Sequence, residues 1–242
     1  MAQNTVTQSQ NNKPAVVNYG IPDDYDHGIA QEDVKIPSII LMQKMTELME
    51  LDGRKWKAGQ FYDMGTDTVL DKFDGLVVKY YLTTRLLGEK DPSTGRAEIV
   101  RFSSDGTHWD DNGEIIAQDE FKYREDGRFA KKTYHYLVLR KGCDMPAMVT
   151  FKGASAKMGK SLNMHLLRVK PMWRVYFQFA SSLEESGGNK YHVLKATPKP
   201  KAFCDQKTAD LCKGFWEMST ASKISSFEMN ETSEEKEDDP VY

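Results

Sequence analysis

Cysteine is scarce in this sequence, and its spacing does not suit a disulfide framework or a zinc site. The 242 residues contain Cys143, Cys204 and Cys212, an odd set without a CxxC pair, which indicates free thiols in a reducing cytoplasm. The five histidines form no HxH or HxxxH pair. The oxygen-rich loop from Asp105 to Glu114 lacks the spacing of an EF-hand, so a solvated turn is expected there. We therefore expect neither a metal centre nor a cofactor.

Long apolar runs and enzyme signatures are missing as well. No stretch of about eighteen apolar residues is present, which argues against a membrane span. Residues 1–12 are rich in Gln, Asn and Thr and lack the cationic and apolar regions of a targeting peptide. The sequence contains no GxSxG elbow and no pattern of a Cys/His nucleophile. These absences predict a protein that is not an enzyme.

One segment comes close to a phosphate-binding loop. Residues 153–161, GASAKMGKS, follow a predicted strand and open a predicted helix, as such a loop does. The loop pattern requires a first glycine where this chain has Ala154, and no apolar strand ending in Asp follows to hold magnesium. A nucleotide-binding enzyme is thus the least favoured alternative. Lys157 and Lys160, near the helix start, could instead contact a nucleic-acid phosphate.

Charge is abundant but unevenly distributed. Residues 120–203 hold seventeen Lys and Arg against six Asp and Glu, whereas residues 228–239 hold seven acids and one lysine. Basic side chains hold phosphates, and flat rings stack on bases. The combination of basic and aromatic side chains in one segment indicates a protein that binds single-stranded nucleic acid. The aromatic residues of the basic segment 120–203 include Tyr123, Phe129, Tyr134, Tyr136, Phe151, Trp173, Tyr176 and Tyr191.

The hydrophobic pattern predicts short strands with one helix among them. Residues 76–86, 133–140, 146–152, 172–180 and 190–197 are extended in pattern. The stripe of Met158, Leu162, Leu166 and Val169 predicts an amphipathic helix over 155–169. We expect a mainly β fold, an OB-like antiparallel β-barrel with this inserted helix, a C-terminal helix and disordered termini. The predicted organisation is a disordered N-terminal arm (1–33), an OB-fold-like nucleic-acid-binding domain (34–203) with an insert (103–127), a C-terminal helix (204–227) and an acidic disordered tail (228–242).

Strand alternation then assigns residues to the binding face. We predict Tyr81, Tyr134, Tyr136 and Tyr176 as rings that stack on bases, although each ring could instead cover the rim of the core. Trp173 is placed in the core. The predicted phosphate contacts are Lys79, Arg85, Lys131, Lys132, Arg140, Lys152, Lys157, Lys160 and Arg174.

The acidic tail has two interpretations. Acidic tails often serve only to keep a protein in solution. This one could also compete with nucleic acid for the basic surface, and it ends in an apolar tripeptide that a partner could grip. We predict that it recruits proteins through Asp238, Asp239, Pro240, Val241 and Tyr242.

A series of short segments resembles bacteriophage OB-fold single-stranded DNA-binding proteins. The segments are IPSIILMQ (36–43), GQFY (59–62), FKG (151–153), YFQFAS (176–181) and KYHV (190–193). The resemblance implies sequence-independent coating of single-stranded DNA during phage replication or recombination, in the cytoplasm of the infected host. The partners of such a protein would be replication or recombination proteins, and it could also form a homo-oligomer. The alternative is a virion structural or packaged cargo protein that contacts the genome or the portal.

Overall fold

The structure is a computed structural model that describes residues 36–43, 56–93, 97–122 and 129–221. The predicted N-terminal arm and the acidic tail, with Asp238 to Tyr242, lie outside the described residues. The strands are β1 (Ser38–Leu41), β2 (Phe61–Asp63), β3 (Thr68–Leu70), β4 (Lys72–Lys90), β5 (Ala97–Ser103), β6 (His108–Trp109), β7 (Glu114–Ile115), β8 (Phe129–Arg140), β9 (Ala147–Phe151), β10 (Val175–Ser186) and β11 (Asn189–Phe203). The helices are α1 (Ala156–Leu166) and α2 (Gln206–Ala221), and short 3₁₀ turns cover Asp110–Asn112, Gln118–Phe121, Gly153–Ser155 and Met172–Arg174.

The connectivity β4–β8–β9–α1–β10–β11 is OB-like, with α1 between the third and fourth strands of the series. The nineteen-residue β4 is long enough to pair with two different strands, β10 and β8. Its start, Lys72 to Gly75, pairs with β10, and Gly75 to Leu87 pairs with β8 along the other side. The expected mainly β fold with an inserted helix and a C-terminal helix is confirmed.

The sheet differs from an antiparallel barrel in two respects. β1 pairs in parallel with β9 and antiparallel with β2, so the sheet is mixed. The strand order is β11-β10-β4-β8-β9-β1-β2-β3, with β5 also paired to β4, and the ladder does not close within the described residues. Just after β1, the Gln43 amide group donates to the His192 carbonyl (2.7 Å) and accepts from the His192 N–H (2.9 Å). One side chain thus makes the pair of bonds that a neighbouring strand would make to β11.

Both faces of the sheet are covered. We call the face that packs against α1 the inner face; its core includes Val77, Tyr136 and Phe177 with Leu162 of α1. The opposite, outer face carries a second apolar cluster beneath α2. That cluster consists of Leu76, Val78, Leu137, Leu139, Met148 and Tyr176 with Cys212 of α2, and Leu211 and Phe215 pack against it.

The insert after β5 forms a small ordered unit of its own. Trp109 and Ile116 bury their side chains against Leu86 of β4. Partial burial raises the pKa of Asp105, but hydrogen bonds from His108, Thr107 and Ser103 outweigh this effect and hold it below its usual value. The Asp105 carboxylate is therefore occupied by hydrogen bonds within the turn itself.

Candidate functional site

Two of the four predicted stacking rings, Tyr134 and Tyr136, lie on the inner face and are buried. The Tyr136 hydroxyl hydrogen-bonds to the Gly159 carbonyl (2.8 Å) and to the side-chain amide of Asn163 (2.7 Å). A Cβ on Gly159 would come within about 3 Å of the Tyr134 ring, so this glycine lets α1 approach the strand. Burial raises the pKa of Tyr134 to about 12. Both rings hold α1 on the sheet, and their prediction as stacking platforms is wrong.

Tyr176 and Tyr81 lie on the outer face, where α2 covers them. Tyr176 is buried in the outer cluster, so its predicted stacking role is also wrong. Tyr81 is half-buried, and burial raises its pKa while a hydrogen bond to Ser219 of α2 opposes that effect. The Lys79 ammonium donates to the Ser219 carbonyl (2.6 Å) and the Thr220 hydroxyl (3.1 Å). Lys79 thus binds the carboxyl end of α2, where a cation is favoured, and its desolvation lowers its pKa.

Arg140, a predicted phosphate contact, forms an internal ion pair instead. Its Nε lies 3.0 Å from the Asp63 carboxylate, with the Asp63 side chain 4% and the Arg140 side chain 18% exposed. Arg140 also donates to the Thr66 hydroxyl at 3.1 Å. Because a buried carboxylate requires its partner, the charge of Arg140 is committed to holding β8 against the turn after β2. The prediction of a phosphate contact at this position is wrong.

Three predicted lysines lie on the side of the sheet that carries α1. Lys132 sits over the Phe121 ring, 3.7 Å from its centroid, and desolvation and the charge of Lys160 lower its pKa. Lys157 pairs with Glu184 at 3.1 Å. The structure therefore does not bring Lys132, Lys157 and Lys160 together with the residues of the outer face.

The start of α1 is packed in a way that does not suit a phosphate loop. The hydroxyl of Ser155, just before the helix, is buried and accepts the Leu194 N–H of β11 at 3.0 Å. Gly159, where the loop pattern expects a phosphate-binding glycine, packs against Tyr134. These residues close the helix start onto the sheet, which weighs against nucleotide hydrolysis here.

Three of the four remaining predicted cations lie on, or directly after, three adjacent strands, and the fourth, Arg174, lies elsewhere. Arg85 of β4 is the direct cross-strand neighbour of Lys131 of β8. Lys152 follows β9 and, by strand alternation, lies on the same side as Thr150. We call Arg85, Lys131 and Lys152 the basic outer patch; all three are half-buried.

A histidine fixes the three strands beneath the basic outer patch. His135 of β8 is buried, with Nε2 2.9 Å from the Thr83 hydroxyl of β4 and Nδ1 3.0 Å from the Thr150 hydroxyl of β9. His135 pairs in register with Tyr81 on one side and with Thr150 on the other. This row of polar contacts links the three strands that carry the patch.

A further groove lies where α2 begins. Its volume is about 460 Å³, and its lining is Lys170, Pro171, Trp173, Arg174, Phe203, Cys204 and Ala209. Arg174 was predicted from the sequence as a phosphate contact, whereas Phe203 was not predicted. Trp173, expected in the core, is partly buried against the outer cluster and also lines this groove. Trp173 lies in the 3₁₀ turn before β10, so strand alternation does not apply to it. The lysines at 199 and 201, interleaved with Pro200 just before an aromatic residue, are a sequence signal that could have marked this groove.

Two kinds of functional element, a cluster of metal ligands and a membrane-spanning helix, are absent from the described part of the chain. Within it, no group of three or more His, Cys, Asp or Glu side chains is placed to hold a metal ion. None of its helices is long and apolar enough to cross a membrane.

The fold and its surface define a mainly β, OB-like protein with a basic patch on three neighbouring strands. The model of the Pam3 phage gp34-like protein family matches residues 6–225. The chain belongs to this family, which indicates a bacteriophage protein. No curated protein and no solved structure matches it.

Proposed function

We propose that this protein binds single-stranded DNA without sequence preference, through the basic outer patch, and that it is not an enzyme. The observation that carries the proposal is the placement of Arg85, Lys131 and Lys152 on three adjacent strands, over the row fixed by His135. In OB-folds, this sheet face and its flanking loops bind oligonucleotides. A polyanion crossing the strands meets one cation on each.

The neighbouring strands set the dimensions of the contact. Adjacent strands lie about 4.8 Å apart, so three strands span about 10 Å. Long cationic side chains extend this reach, and a flexible strand can adjust its phosphates to them, whereas rigid duplex DNA has less freedom to do so. Backbone contacts of this kind carry no base information, which accounts for the proposed absence of sequence preference.

The biological setting of the proposal is phage DNA replication or recombination in the cytoplasm of the infected host. Membership in a phage family supports this setting. The tail, with seven acids between Glu228 and Asp239, would recruit replication or recombination proteins. We expect deletion of residues 228–242 to leave or raise DNA affinity and to abolish capture of these partners. A large loss of DNA affinity on deletion would contradict this role of the tail.

The decisive experiment is a titration of tryptophan fluorescence with oligo-dT at several salt concentrations. The Arg85→Ala/Lys131→Ala/Lys152→Ala variant should bind more weakly and show a salt slope flatter by about 2, since each lost phosphate contact on a single strand removes about 0.7. A matched control replaces the exposed Lys57, Lys72 and Lys190 by alanine and should retain the slope.

Two results would refute the proposal. Equal salt slopes for the patch variant and its control would remove the patch as the binding surface. Absence of oligo-dT binding by the wild-type protein, together with its detection in purified virions by mass spectrometry, would favour the virion alternative instead.

A further inference from the structure

The groove at the start of α2 combines the two chemistries that a nucleotide requires. Lys170 and Arg174 provide cations, and Trp173 and Phe203 provide rings. Phe203 is 60% exposed, so its ring is accessible at the groove. A volume of about 460 Å³ is within the range of sites for small ligands.

The rings continue from the groove along α2. Trp216, 39% exposed, lies with its ring centroid 6.5 Å from that of Trp173. One turn further, the Trp216 carbonyl accepts the hydroxyls of Ser219 and Thr220, at the helix end where Lys79 binds. The row of rings thus leads from the groove toward β4, the strand that carries Arg85.

We infer that this groove is a second subsite for the same single strand of DNA, in which a base stacks on Phe203 and Trp173 and a phosphate binds Lys170 and Arg174. The inference rests on the proposed function and extends it. Nucleic acid is favoured over a protein partner because one of the two cations beside the rings is a lysine, a residue depleted from protein interfaces, and because cations beside rings suit a phosphate and its base.

The distance between the two sites gives a length criterion. The sixteen residues of α2 make a helix about 24 Å long, and the helix separates the groove from the basic outer patch. At ~3.4 Å or more per nucleotide, an oligo-dT of about 4 nucleotides is too short to join the two sites and should report on the patch, whereas one of about 30 should reach both.

The test compares Phe203→Ala and Lys170→Ala/Arg174→Ala with the wild-type protein on both oligonucleotides. Phe203→Ala should weaken binding of the longer oligonucleotide about fivefold or more, as expected for one lost stacking ring, and leave the shorter one unchanged. Matched controls are Leu183→Ala, an exposed apolar side chain on β10, and Lys213→Ala, an exposed lysine of α2; both should bind as the wild type does. Ultraviolet crosslinking of the full chain to the longer oligonucleotide should label the peptides that contain Trp173 or Phe203.

The outcomes separate this inference from the function on which it rests. Wild-type affinity of both groove variants for the longer oligonucleotide, while the variant of the basic outer patch binds weakly, would overturn the second subsite and leave the proposed function standing. Equal losses on both oligonucleotides would also overturn it, because the groove would then belong to the primary site. Failure of the wild-type protein to bind either oligonucleotide would refute both. Retained DNA affinity with loss of a protein partner would make the groove a docking site for protein.

Discussion

Replacing Gln43 by methionine tests whether one side chain stands in for a missing strand pairing. Methionine has nearly the same length and removes both hydrogen bonds to the His192 backbone, at 2.7 and 2.9 Å. A net contribution of about 1 kcal/mol for each bond, reduced because the site is only partly buried, gives an expected loss of about 1–2 kcal/mol in the free energy of unfolding.

The natural control is Gln60→Met. Gln60 also makes two hydrogen bonds through its amide group, to Asp71 (2.9 Å) and from the Lys57 N–H (2.9 Å), but both are exposed. Because water can replace exposed partners, we expect a loss of about 0.5 kcal/mol or less.

Urea denaturation measures both variants, with an unchanged m-value as evidence that only stability has changed. Hydrogen exchange of the His192 amide should accelerate in Gln43→Met and not in Gln60→Met, because only the former leaves this N–H without its acceptor. Equal destabilisation by the two substitutions, or unchanged exchange at His192, would refute the view that Gln43 joins the end of β1 to β11.

Two further predictions concern residues whose roles the structure revised or defined. Tyr136→Phe should lower the free energy of unfolding by about 1–3 kcal/mol, because the buried Gly159 carbonyl and the Asn163 side chain lose the Tyr136 hydroxyl as a partner, yet leave oligo-dT affinity unchanged. The control for stability is Tyr62→Phe, which removes an exposed hydroxyl bond to Asp67. Weaker DNA binding by Tyr136→Phe would restore the stacking role. Asp105→Ala should weaken the turn of the insert, because it removes the Oδ1 acceptor of the Thr107 and His108 N–H groups, and the effect is measured as faster hydrogen exchange at these two amides than in the wild type. Since the folded pKa of Asp105 is lowered, its stabilising effect is present above its ordinary pKa of 3.8 and is lost as the pH falls below that value; a difference between the two proteins that does not shrink in acid would contradict this assignment.

Elements with a single apolar stripe were predictable from the sequence. The helix expected over 155–169 is α1 at Ala156–Leu166, because Leu162 and Leu166 face one core and the opposite side faces water. The segments predicted as extended over 172–180 and 190–197 lie largely in β10 and β11, which a turn at 187–188 joins. In both places, local pattern and tertiary environment agree.

The binding face was harder to predict because β8 is covered on both sides. Alternation separates Tyr134 and Tyr136 from Leu137 and Leu139, but it does not say which set faces α1 when two helices cover two faces. Alternation places Tyr134 and Tyr136 on the same face as Arg140, which favoured that face for binding, whereas the structure satisfies the Tyr136 hydroxyl with α1.

A β-bulge caused a second error, in β4. The pairing with β8 shifts between Val77 and Lys79, so Val78 lies in the outer cluster while Tyr80 packs on the inner core. An extra residue in one strand reverses the alternation beyond it. Strict period-two alternation over 76–86 places Val78 and Tyr80 on one face, and no local signal in this stretch marks the shift.

The position of α2 determines how the protein can be shortened for laboratory use. Leu211, Cys212 and Phe215 of α2 shield Leu137 and Leu139 from water on the outer face. Lys79 binds the carboxyl end of this helix. Recombinant versions that end before residue 205 should therefore aggregate and be poorly soluble, whether or not they still bind DNA. A stop codon placed just after Ala221 removes the acidic segment and keeps α2 over the apolar cluster of the outer face.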